Sequence, residues 1–249
     1  MNRIELPELK LSISSSSPGL SSWADAAALR RDRVRDLEVA PYATFAPIHY
    51  EPGYAYPLVV WLHGPLGNER QLYDVMPLVS MRNYVAIAPR GTGDAHARRS
   101  SFAWLDTADG VEEAESRVID CVSAAQRRFN IHEQRILVAG LGHGGTMALR
   151  VAWNNPGKFA GAATFGGPVP RRNQPLRHVN RMRQLPCLLV TGRDSRDYLA
   201  EEVCRDLRLL HAAGCTVTVR QYPCRDELTT NMLADFDRWM MDLVCAPPA

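Results

Sequence analysis

Residues 139–145 constrain the fold of this chain most, because they join an apolar run to a helical pattern through alternating glycines. In the pattern Gly-x-Ser-x-Gly the chain leaves a buried strand, turns sharply and enters a helix, so the middle residue is strained and exposed. Here Gly142 holds the middle position, between Gly140 and Gly144. The sequence therefore predicts the shape of this turn without its reactive oxygen.

The composition bounds the class of protein. The chain has 249 residues, of which 46% are hydrophobic, enough for one large core. We predict one α/β domain over residues 42–249, preceded by a leader or peripheral helix over residues 1–41. A net charge of +2 argues against nucleic acid as a partner. No apolar run resembles a signal peptide or approaches the ~20 residues that span a bilayer, so we predict a cytoplasmic protein without membrane association.

The cysteines indicate neither a disulfide framework nor a structural metal. None of the six is spaced as Cys-x-x-Cys, and several lie on predicted core faces. A free cysteine in such a position behaves as a small apolar residue. We therefore predict reduced thiols and no zinc.

Apolar runs bounded by turn residues alternate with amphipathic segments from Tyr42 onward. This alternation is typical of parallel strands joined by helices. The predicted strands are residues 58–62, 84–88, 136–139, 160–165, 187–191 and 216–221. Apolar residues at helical spacing predict helices around 114–129, 203–210 and 232–240.

Several motifs stand in order along the chain. They begin with Pro-Leu-Val-Val-Trp-Leu-His-Gly at 57–64 and continue through 85–91, 135–149, 156–161, 185–197 and 221–239. In these motifs the chain resembles the α/β-hydrolase superfamily, specifically its phospholipase/carboxylesterase/thioesterase branch. The resemblance covers roughly residues 42–244. It implies an α/β-hydrolase fold, a mostly parallel central sheet with helices on both faces and a pocket where the strands end.

The resemblance also implies a catalytic triad of serine, acid and histidine in that chain order. The serine position falls at Gly142, the acid position at Ser195 and the histidine position at Asp226. All three positions are vacated. Asp194 and Asp197 lie close enough to Ser195 for a shifted loop to supply a carboxylate, and Asp194 is the candidate shifted acid.

The predicted oxyanion-binding residues are altered as well. Relatives use the N–H after the nucleophile, here that of His143, and a second N–H from the loop after the pair His63-Gly64. The second donor falls at Pro65, which has no N–H, or at Leu66 if the alignment moves by one residue.

Other side chains near these positions suggest further chemistry. We expect His63 and His143 to lie above the sheet and to face Asp226 and Asp194, so one interpretation is a metal site of two imidazoles and one or two carboxylates. We favour no metal and no cofactor, because His63 belongs to the structural His-Gly turn and the spacing matches no dedicated metal motif. Cys224 lies in the loop of the histidine position. A nucleophilic role would pair it with His143, and we favour a plain loop thiol because it is not on the elbow.

Residues 170–183 form the densest basic stretch, with arginines at 171, 172, 177, 181 and 183. One interpretation is a cap that recognises an anionic ligand through arginine forks. The other is a solvated turn and short helix, which we favour because charge runs are usually solvated.

These observations predict a catalytically degenerate α/β-hydrolase-fold protein that binds a small molecule or a protein partner through the former pocket. The alternative is an active ester or thioester hydrolase with relocated catalytic groups. A structural or scaffolding protein is a third interpretation. The ligand and the oligomeric state stay open.

Overall fold

The computed structural model describes residues 40–96, 101–172 and 174–245. The leader or helix predicted for residues 1–41 lies outside the described residues except at its last two positions. Within the described part of the chain, no helix is long and apolar enough to span a membrane.

A mostly parallel sheet forms the centre of the fold. The strands are β1 (Tyr42–Phe45), β2 (Tyr56–Leu62), β3 (Val85–Pro89), β4 (Gly93–His96), β5 (Ser101–Ala103), β6 (Ile131–Leu141), β7 (Gly161–Phe165), β8 (Cys187–Gly192) and β9 (Val217–Tyr222). Among the described residues, seven of them form one sheet in the order β1-β3-β2-β6-β7-β8-β9. β1 runs antiparallel to β3, and the other neighbours run parallel. β4 and β5 form a separate antiparallel pair.

Helices cover both faces of this sheet. They are α1 (Leu72–Val79), α2 (Ala108–Arg128), α3 (His143–Asn154), α4 (Val179–Met182), α5 (Ala200–Ala212) and α6 (Thr230–Cys245). Successive side chains of a strand point to opposite faces, and β2 follows this rule. Val60 packs in the core layer that includes Val118 of α2, whereas Trp61 packs in the layer that includes Phe236 of α6. The predicted fold class is confirmed, and every predicted strand is present.

The strand ends bring the predicted site residues to one edge of the sheet. Because β2 and β6 are parallel and Leu62 pairs with Gly140, the loops that follow these strands emerge side by side. β8 and β9 end together in the same way, with Gly192 paired to Tyr222. In parallel sheets this carboxyl edge is where ligands bind.

Candidate active site

The turn between β6 and α3 has the geometry of a nucleophile elbow. Gly142 adopts φ 53° and ψ −124°, in the left-handed half of backbone space that strongly favours glycine. Its N–H donates to the Phe165 carbonyl at 2.8 Å, and its own carbonyl accepts from the Thr146 N–H at 3.0 Å. A Cβ at Gly144 would collide with the His63 carbonyl oxygen. The close packing of this turn therefore requires the flanking glycine, even though no nucleophile stands at its tip.

Pro65 lies against the tip of the elbow. A Cβ added to Gly142 would lie 3.1 Å from Cδ and 3.3 Å from Cγ of the Pro65 ring. Both separations are tighter than most real Cβ contacts, so the ring would have to move. A side chain at position 142 is thus disfavoured by backbone conformation and by this contact.

The loop after β2 offers few free backbone donors. The Gly64 N–H donates to Oε1 of Gln71 at 3.0 Å, and the Gly67 N–H donates to the Gly64 carbonyl at 3.1 Å. Pro65 has no N–H. Within residues 64–67 this leaves the amide of Leu66, whose φ of 55° is unusual for a residue with a side chain. A second oxyanion donor could come only from Leu66 in this loop.

His63 is a buried structural residue. Its Nε2 accepts from the Gly91 N–H at 3.0 Å, so Nδ1 must carry the proton that it donates to the Gly64 carbonyl at 2.9 Å. Burial lowers the pKa of His63, which favours this neutral form. The Trp104 ring lies 5.2 Å from the imidazole. The expectation that His63 faces Asp226 is wrong, because both ring nitrogens are engaged inside the fold.

The positions aligned with the acid and the histidine are in direct contact. The Ser195 hydroxyl donates to Oδ1 of Asp226. The same carboxylate accepts from the N–H of Arg196 at 3.1 Å and of Asp197 at 3.3 Å, while the Tyr198 N–H donates to Ser195 Oγ at 3.0 Å. Asp226 therefore ties the loop after β9 to the turn after β8.

The electrostatics of this contact keep Asp226 ionised. Burial is the largest single effect and raises its pKa, but the hydrogen bonds from Ser195, Arg196 and Asp197 together hold the pKa below the ordinary value. A carboxylate with a low pKa is a weak general base at neutral pH. Asp226 is suited to holding the loop and poorly suited to activating a hydroxyl.

Two further candidate catalytic groups lie near these loops. Asp194 is largely exposed, with its carboxylate 3.5 Å from the Arg193 guanidinium. Burial raises the pKa of the Cys224 thiol, and the carboxylates of Glu227, Asp194 and Asp226 raise it further. A thiol held protonated in this way is a poor nucleophile.

The sequence predicts no metal site, and the positions of the side chains that could bind a metal ion bear on this prediction. Residues 40–96, 101–172 and 174–245 contain no group of three or more His, Cys, Asp or Glu side chains positioned to hold a metal ion. His143, the other imidazole considered for such a site, is exposed at the first position of α3.

A cavity of about 220 Å³ opens beside His143, between α3 and the segment 168–172 that follows β7. Arg150 of α3 lines it with a side chain that is 1% exposed. Its Nη2 donates to Oδ1 of Asp106 at 2.7 Å and its Nη1 donates to the Arg172 carbonyl at 2.5 Å, while its buried Nε has no acceptor. Sequence reasoning missed Arg150, although an arginine on the same helical face as His143 and Met147 was a usable signal.

The first part of the basic stretch is anchored by acidic residues. Arg171 donates to Oδ1 of the buried Asp206 at 2.9 Å and lies 3.4 Å from Glu202. Asp206 also accepts from the Tyr198 hydroxyl at 2.8 Å and the Val169 N–H at 3.1 Å. Farther along, the stretch forms turns and the short α4, and its role toward a ligand stays a prediction.

Comparison with known proteins identifies the family. Residues 52–203 match the family model described as Phospholipase/Carboxylesterase. The chain belongs to this phospholipase/carboxylesterase family. Among solved structures, this family member is similar to a carboxylesterase from Bacillus cereus, with 15% identity, a TM-score of 0.66, and coverage of 85% of this chain and 98% of that one.

Two plant proteins are similar to this chain at comparable identity and TM-score. Arabidopsis thaliana SOBER1 shares 18% identity with a TM-score of 0.64, over 76% of this chain and 100% of that one. Zea mays acyl-protein thioesterase 2 shares 18% identity with a TM-score of 0.60, over 82% of this chain and 99% of that one. At these identities the likeness shows the fold.

Proposed function

We propose that this family member is a catalytically degenerate, cytoplasmic protein that binds a small molecule or a protein partner at the former active site. The observation that carries the proposal is the hydrogen bond between Ser195 and Asp226 beside an elbow whose tip is Gly142. The positions that align with acid and base hold a hydroxyl and a carboxylate, and the position that aligns with the nucleophile has no side chain.

The chemistry of ester hydrolysis explains why this arrangement supports a loss of activity. A serine hydroxyl becomes nucleophilic when an imidazole takes its proton, and the acid holds that imidazole in the correct tautomer. Asp226 instead accepts hydrogen bonds from Ser195 and two backbone amides. It has no proton to return to a leaving group at neutral pH.

The oxyanion loop supports the same proposal. Pro65 provides no N–H and lies against Gly142, and the Gly64 N–H is used by Gln71. The Leu66 amide is the donor that is left in residues 64–67, and an enzyme that lacks one oxyanion donor typically loses on the order of a hundredfold or more in turnover.

An active hydrolase with relocated groups would need another nucleophile close to the elbow. The nearest hydroxyl on α3, that of Thr146, donates to the Pro168 carbonyl at 2.7 Å, and the pKa of the Cys224 thiol is raised. Neither group is activated. These contacts favour the non-catalytic proposal over the alternative.

The test is a hydrolysis assay on the purified protein, with short-chain aryl esters and acyl thioesters as substrates. We expect no turnover above the buffer rate and no adduct with a fluorophosphonate in the intact mass. Turnover at ordinary esterase rates, with Gly142 confirmed by mass, would refute the proposal. A catalytically competent member of the family serves as the positive control.

A further inference from the structure

We propose that the cavity between α3 and segment 168–172 binds a small carboxylate with a short apolar chain, held by Arg172. The inference rests on the proposed function, because it names the class of ligand for the region beside the elbow.

The walls of the cavity suit a short apolar chain. Trp104, Met147 and Val169 line it and are themselves nearly buried, so their lining surfaces are packed from behind. A volume of about 220 Å³ is room for roughly seven water molecules at about 30 Å³ each, so it suits a ligand of roughly seven or eight non-hydrogen atoms. Apolar walls with a few polar groups are typical of small-molecule sites.

The charges at the cavity favour an anion. Its lining includes the three arginines 150, 171 and 172 against the two acids Asp106 and Glu202. Arg150 is paired with Asp106, and Arg171 is paired with Asp206 and Glu202. Arg172 lines the same cavity and forms no ion pair with any residue that the structure describes. Of the three arginines that line the cavity, Arg172 is therefore the one whose charge is not neutralised by a carboxylate of the described residues.

Arg150 positions Arg172. The buried Arg150 guanidinium donates to the Arg172 carbonyl, which fixes the backbone of the unpaired arginine at the edge of the cavity. Keeping a guanidinium 1% exposed with an unpaired Nε is costly, and a buried polar atom without a partner calls for an explanation. The explanation we give is that Arg150 holds segment 168–172 in place. Arg150 is thus a positioning residue, and Arg172 contacts the ligand.

A single free guanidinium matches a monocarboxylate. The planar fork of arginine binds the two oxygens of a carboxylate through parallel hydrogen bonds. A phosphate dianion would need a second free cation, and Arg171 is already engaged by two carboxylates.

The test compares hexanoate with hexanamide, its neutral analogue of similar shape, by calorimetric or NMR titration of the full chain. We expect saturable binding of hexanoate that is about tenfold tighter than that of hexanamide, in keeping with the strength of charge-assisted hydrogen bonds. In Arg172→Gln this preference should be lost. The matched control is Arg177→Gln, because Arg177 is exposed in the same basic stretch and does not line the cavity. It should retain the preference.

The outcomes separate this inference from the proposed function. Equal affinity for hexanoate and hexanamide, no saturable binding, or an unchanged preference in a folded Arg172→Gln variant would overturn the carboxylate site. Inorganic phosphate that binds as tightly as hexanoate would overturn the choice of ligand class. Hydrolysis of an aryl hexanoate by the same preparation would instead overturn the proposed function.

Discussion

The replacement Gly142→Ser tests the physical reading of the elbow. Gly142 has φ 53° and ψ −124°, and a residue with a side chain in such a conformation costs about 1–3 kcal/mol. The new Cβ would also lie 3.1 Å and 3.3 Å from atoms of the Pro65 ring. Relief of this contact by a small shift adds about 1 kcal/mol, the lower end of the cost of overpacking.

We therefore expect Gly142→Ser to fold with a free energy of unfolding lower by about 2–4 kcal/mol. For a chain of this size that is a decrease in Tm of about 4–16 °C. Gly142→Ala should lose about the same amount, since both variants add the same Cβ. The assay is thermal and chemical denaturation of the purified variants.

Two controls make the magnitude interpretable. Gly53→Ala should be nearly neutral, because a Cβ at Gly53 would meet nothing within 4 Å and its φ is not left-handed. In a Pro65→Ala background the cost of Gly142→Ser should fall by the share that comes from the ring contact, which a double-mutant cycle measures. An unchanged or raised Tm for Gly142→Ser and Gly142→Ala would refute the claim that this turn is strained against side chains.

Three further predictions concern other parts of the fold. Asp226→Ala should lower the free energy of unfolding by about 1 kcal/mol, because an exposed carboxylate that accepts several hydrogen bonds is lost. The pKa of Asp226 is lowered in the fold, so this stabilisation is present at neutral pH and is lost as the pH falls through that pKa. Wild type and variant should therefore converge in melts at acid pH. The stability should also decrease as the pH falls below about 6.5, because the unfolded chain protonates His63 near its ordinary pKa of 6.5 while the fold keeps His63 neutral. In denaturation at pH 5–7, the stability of a folded His63→Gln variant should depend less on pH than that of wild type. The same pH dependence in both proteins would contradict the assignment to His63. In native thiol titration the exposed Cys204 and Cys245 should react first and Cys121 and Cys187 only on unfolding, because burial raises the pKa of the latter pair to about 12; early labelling of the buried pair in mass spectra would contradict their placement.

The sheet was predictable where strands are continuous apolar runs. β2, β3, β7 and β8 are buried along their full length. Strands that are buried on both faces are made of continuous apolar residues, so their composition alone predicts them as central strands. β1 was not predicted, because its four residues are mostly half-buried and carry no apolar run. The β4–β5 pair was not predicted either, because its two strands are only four and three residues long and carry no apolar run.

The candidate site was predictable only in outline. Chain order locates Gly142, Ser195 and Asp226, but the hydrogen bond between the last two depends on the backbone of two loops. The inward orientation of His63 depends on the Gly91 amide, far away in sequence. The contact between Pro65 and Gly142 likewise joins two loops. Local patterns do not specify such loop-to-loop contacts, whereas the positions of the strands follow from hydrophobic patterning.

Under the proposed function, the contact between Ser195 and Asp226 gives a structural role to two positions that the family resemblance assigns to catalysis. In an ordinary triad the acid orients the imidazole. Here the carboxylate stands at the histidine position and binds the turn that contains the acid position. The two loops are held together with no need for an imidazole between them.

The most direct test of the proposed loss of activity is an esterase series built on Gly142, Ser195 and Asp226, the positions that the resemblance assigns to the triad. The proteins are wild type, Gly142→Ser, Asp226→His with Ser195→Asp, and the triple variant, assayed on one aryl ester with melts to verify folding. We expect wild type, the single variant and the double variant to be nearly inert. The triple variant should gain activity well beyond the sum of the others, because triad members act as a unit and the two loop positions are already in contact. Pro65 should keep the triple variant below an intact enzyme. Activity in wild type, or activity that appears in full in Gly142→Ser alone, would contradict the account, because another residue would then supply the base.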